Sequence, residues 1–80
     1  MTAFYRVTQK FFNNGKVTSD MDIVYATTQP ANSFEETPLC DIYEDYFSDK
    51  ADALTHHEAG LAEDCNPPMI DTYTFKRYDP

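Results

Sequence analysis

The run His56-His57-Glu58, with Cys40 and Cys65 elsewhere in the chain, supplies the residue types that bind transition metals. Their spacing argues against that chemistry. Adjacent residues on a helix point about 100° apart, so the two histidines do not share one ion. No CxxC, HxxxH or HExxH pattern occurs. One histidine is expected on a packed stripe and the other in solvent, with no metal and no other cofactor. Asp20-Met21-Asp22 and Glu44-Asp45 offer carboxylates, but not the D-x-D-x-D-G order and closing Glu of a calcium loop. Paired acids for acid–base work need a buried pocket that so short a chain rarely spares. There is no nucleophile elbow, phosphate loop or dinucleotide fingerprint, and nothing marks Cys40 as an activated thiol. The expectation is a protein that is not an enzyme.

One segment stands apart: Asp41-Ile42-Tyr43-Glu44-Asp45-Tyr46-Phe47-Ser48-Asp49, where acids interleave with tyrosines, followed by Asp52. As a strand it would set Asp41, Tyr43 and Asp45 on one face, about 6.5–7 Å apart. A row of carboxylates beside aromatic rings offers what an arginine-rich groove binds, through charge and cation–π attraction. Asp41, Tyr43, Glu44, Asp45, Tyr46, Asp49 and Asp52 are therefore the candidate partner-binding residues. The competing view is a solvated acidic face whose tyrosines lie half-buried at a sheet edge.

The elements that must carry this segment follow from periodicity. Ala3, Tyr5, Val7 and Phe11 alternate with Arg6, Thr8 and Lys10, and Val17, Met21, Ile23 and Tyr25 alternate with Thr18, Asp20 and Asp22. A two-residue Asn14-Gly15 turn would mix the two faces. A three-residue loop, Asn13 to Gly15 with Gly15 left-handed, pairs Phe11 with Val17, Val7 with Met21, Tyr5 with Ile23 and Ala3 with Tyr25. It also sets Arg6 against Asp22 and Lys10 diagonal to Asp20. That is the expected hairpin, over 3–26.

Residues 28–38 hold two prolines, Asn and Ser, and read as a loop. The segment 39–47 satisfies both a helical stripe starting from Thr37-Pro38 and a strand alternation. A strand is the favoured form, because Ser48-Asp49 starts a second helix directly after it. Residues 49–63 read as that helix, with Ala53, Leu54, His57 and Leu61 along one stripe and Gly60 weakening the last turn. Pro67-Pro68 closes it, and 69–78 alternates as a last strand. The expected fold is a single small α+β domain over 1–80, in the order β-β-β-α-β. Its four-stranded, mostly antiparallel sheet carries one helix on the face of Tyr5, Val7, Phe11, Met21 and Ile23. Strand order 4-1-2-3 is the first choice.

Charge narrows the partners. Twelve of the fourteen acids lie between Asp20 and Asp64, a stretch whose single base is Lys50; residues 1–19 hold Arg6, Lys10 and Lys16 and no acid. A net charge of −8 disfavours direct binding of nucleic acid or an anionic membrane and favours a basic protein surface. No signal-peptide pattern and no run of about 18 apolar residues occurs, so a cytoplasmic protein with free thiols is expected. Short, acidic and free of motifs, the chain is similar in general character to the DNA-mimic inhibitors that phages and mobile elements use against restriction or CRISPR effectors. That similarity implies an interaction protein covering a basic, nucleic-acid-binding site. The alternative is a structural or regulatory module that binds through an apolar patch or edge strand, its acidity incidental. Nothing in the residues sets the oligomeric state.

Overall fold

The computed structural model describes residues 1–64. They form strands β1 (Thr2–Phe12), β2 (Val17–Ala26), β3 (Ser33–Glu36) and β4 (Cys40–Phe47), followed by helix α1 (Lys50–Leu61). The strands make one antiparallel sheet in the order β2-β1-β4-β3. The α+β class, the four-stranded sheet and the single helix agree with expectation. The strand expected over 69–78 lies outside the described residues, and the fourth strand of the sheet is instead β3.

The hairpin takes the expected register: Phe11 opposes Val17, Val7 opposes Met21, Arg6 opposes Asp22 and Ala3 opposes Tyr25. Gly15 sits at φ 93°, where an L side chain would clash with its own carbonyl. Its N–H donates to the Phe12 carbonyl, and Asn14 Oδ1 accepts from Lys16 N, so the loop satisfies its own backbone.

Two expectations are corrected. The segment 40–47 is a strand, yet it pairs with β1 rather than β2, which breaks the 4-1-2-3 order. Charge explains the choice. Beside β2 its acids would confront Asp20 and Asp22, whereas β1 sets Thr8 against Glu44, Lys10 against Ile42 and Arg6 against Tyr46. The expected loop 28–38 contains β3, which hairpins onto β4 about Pro38-Leu39. Thr37 makes that turn: its N–H and hydroxyl both donate to the Cys40 carbonyl, while its Oγ1 accepts from Cys40 N and Leu39 N. The residue that could have capped a helix folds back on a turn instead.

Helix α1 lies chiefly over β2 and β1, on the face of Val7 and Met21, and touches β4 least. Ala53 is fully buried there and Gly60 is buried, so small residues let the helix come close to the sheet. The apolar core is correspondingly small: Phe4, Val7, Val17, Cys40 and Ala53. Tyr5, Phe11 and Met21 are half-buried on the helix face, while Ile23 remains 49% exposed.

Candidate functional site

The expected binding residues divide among three tasks. Asp41, Tyr43 and Asp45 do share one face, the face that carries the helix, while Glu44 and Tyr46 point to the other. Asp45 is engaged: its Oδ2 lies 2.9 Å from His56 Nε2 on the helix. Asp49 is the N-cap of α1, accepting from Ala51 N at 2.9 Å, and Asp52 sits exposed in the first turn, where the helix dipole favours an acid. Tyr46 is half-buried beside Arg6. The Arg6 guanidinium is held charged well above its usual range by Asp22 and then Tyr46, and Asp22 is lowered in turn by Arg6. Arg6 Nε donates to Asp22 Oδ1 at 2.9 Å and a second bond joins Nη2 to Oδ2, giving the bidentate fork expected of this pair.

Asp41 and Tyr43 remain, and β3 brings them neighbours that the sequence had left in a loop. Across the sheet, Phe11, Asp41 and Glu36 form one row, with Gln9, Tyr43 and Phe34 in the next. The Phe34 and Tyr43 rings are 4.9 Å apart, and Phe11 meets Tyr43 edge to face at 5.5 Å. Phe34 is 55% exposed and Glu36 is exposed beside it. Leu39, 71% exposed at the adjoining turn, extends the apolar surface. Glu36 and Asp41 stand directly opposite each other, an arrangement that costs stability by like-charge repulsion. Neither carboxylate has a described ion-pair partner. The outcome is an exposed aromatic group flanked by two facing acids, a geometry suited to a guanidinium. Phe34, Glu35 and Glu36 had almost no signal in the sequence: a single apolar residue, Phe34, stands before the Thr37-Pro38 turn.

His57 lies against the sheet, as its place on the packed stripe implies, but His56 is not the solvent-facing histidine expected. Both are half-buried and both are bonded. Gln9 Nε2 donates to Ser19 Oγ at 3.2 Å and to the His56 carbonyl at 3.0 Å, and Ser19 Oγ lies 2.7 Å from His57 Nδ1. Because Ser19 accepts from Gln9, its own O–H is free to donate to His57. Ser19 and His57 resemble the first two members of a hydrolytic relay, but the neighbouring acid, Asp45, binds His56. Hydroxyl, imidazole and carboxylate therefore do not line up. Among the described residues no group of three His, Cys, Asp or Glu side chains could hold a metal ion. Cys40 is a buried free thiol. No described helix is long and apolar enough to cross a membrane.

No family model matches this chain, and neither a curated protein nor a solved structure is detectably similar to it.

Proposed function

We propose that the protein is a non-enzymatic, cytoplasmic interaction module that covers a basic surface of a protein partner, in the manner of DNA-mimic inhibitors of restriction or CRISPR systems. The observation that supports this is the facing pair of exposed Glu36 and half-buried Asp41, set beside Phe34 and Tyr43 despite its cost to the sheet. The distribution of bases adds to it. Arg6 is occupied by Asp22 and Lys16 by Asp64, whereas Glu35, Glu36, Asp41, Glu44 and Asp52 have no described ion-pair partner. A surface of this kind would steer a basic partner from a distance and would weaken as salt screens it over about 8–10 Å.

The test uses the partner recovered on immobilised protein from the source cell and then purified. Reversing Glu36, Asp41 and Glu44 to lysine should lower its affinity at least about tenfold and leave the fold intact, since none of the three is fully buried or has a described ion pair to lose. Asp45 is left out of this set because it anchors His56. Wild-type affinity should fall between about 0.05 and 0.3 M salt. Equal binding by the triple variant, together with indifference to salt, would overturn the proposal. An apolar interface would then replace it, for which Ile23 and Tyr25, 49% and 68% exposed on β2, offer a surface away from the acids of β3 and β4.

A further inference from the structure

We infer that β3 is a strand-addition site, and that its occupant is an extended, arginine-bearing segment of a partner protein lying antiparallel or parallel along the strand's outer edge. This deepens the proposal of a basic partner and rests on it.

The chain treats its two neighbouring edges differently. Where β4 runs past the end of β3, its backbone is closed by side chains from the preceding loop. Asn32 Oδ1 accepts from Tyr46 N at 2.8 Å, and Gln29 Nε2 donates to the Tyr46 carbonyl at 2.9 Å. The outer edge of β3 has no such cover among the described residues, and all four of its residues are exposed. An added strand would lie about 4.8 Å outside β3 and take up those open backbone groups.

The side chains choose the occupant. On one face the new strand would run beside Phe34 and Glu36, and on the other beside Ser33 and Glu35. A second copy of this chain is a poor fit, because pairing two β3 strands would gather four glutamates at the seam. A basic segment meets the opposite situation, with carboxylates within reach on both faces. Arginine suits it better than lysine. A guanidinium can stack on the exposed Phe34 ring, at the edge of Tyr43, with carboxylates of Glu36 and Asp41 in the next row for its fork, whereas an ammonium supplies only a compact charge.

The experiment titrates the full-length, 15N-labelled protein with three end-blocked eight-residue peptides at low salt. One alternates arginine and valine, the second replaces a central valine with proline, and the third replaces arginine with glutamate. The arginine peptide should bind saturably, shifting the amides of Ser33 to Glu36 and slowing their exchange. Proline, which keeps the charge but removes a ladder donor and forbids continuous pairing, should weaken binding about tenfold. The glutamate peptide should not bind. Phe34→Ser and Glu36→Gln, both at exposed positions, should each weaken the arginine peptide several-fold with unchanged spectra elsewhere. Equal binding of the first two peptides would overturn strand addition while leaving the basic-partner proposal standing. Failure of both to bind would count against the two together.

Discussion

Gly60 shows at residue scale how a close approach overrides helix propensity. A Cβ added there would sit 2.1 Å from Gln9 Nε2 and 2.6 Å from its Cδ. Gln9 is 3% exposed and bonded to both Ser19 and the His56 carbonyl, so it cannot swing away without breaking those bonds. Alanine would otherwise favour this helix by about 1 kcal/mol. Gly60→Ala should nonetheless destabilise the protein by about 1–2 kcal/mol, as lost hydrogen bonds and overpacking outweigh propensity. In a Gln9→Ala background the same change should become stabilising, and denaturant melts of the four proteins give that change of sign. Asp22 provides a pH signature. Its folded carboxyl lies below the ordinary value, so the stability it adds is complete above an unfolded pKa of about 3.9 and is lost as pH falls through the lower, folded one. Asp22→Asn should flatten the acid limb below about pH 4, by less than about 1 kcal/mol because the pair is solvent-exposed.

Among the elements, the β1–β2 hairpin is the one most strongly specified. Gly15→Val should cost about 1–2 kcal/mol through its left-handed φ, and an unchanged melting temperature would contradict the loop geometry described above. This hairpin was legible because both of its faces carry pattern: one apolar, the other with Arg6 answering Asp22. The helix start was legible through its Asp49 cap. The position of β4 was not read, although its signal was present. Bases on β1 and acids on β2 already favour β1 as the neighbour of an acidic strand, a cross-strand criterion that alternation alone does not contain. β3 was hidden for another reason. Four residues between two prolines show too little periodicity to stand out from a loop, and it was β3 that brought Phe34 and Glu36 to the site. Of the candidate residues, Asp41 and Tyr43 stand beside Glu36 and Phe34 on the helix face of the sheet, while Asp45 and Asp49 hold the helix.

For the whole molecule, a net charge of −8 on eighty residues means that carboxylates repel one another throughout the folded state. Adding salt to about 0.5 M should therefore raise the melting temperature; a fall would mean that the Arg6–Asp22 and Lys16–Asp64 pairs outweigh the repulsion. The seam between helix and sheet has a different consequence. Much of it is polar: Gln9 to the His56 carbonyl, Ser19 to His57 and Asp45 to His56, around the one fully buried helix side chain, Ala53. Lifting the helix exposes a small apolar patch centred on Val7 and Ala53, and water can replace each of those bonds. Helix and sheet should therefore open as two cooperative units of unequal strength. In native-state exchange, amides of Leu54 to Leu61 should open with a shallow dependence on denaturant, well before those of β1, which is paired on both sides. Matching slopes for helix and central strand would instead show that the sheet does not outlast its cover.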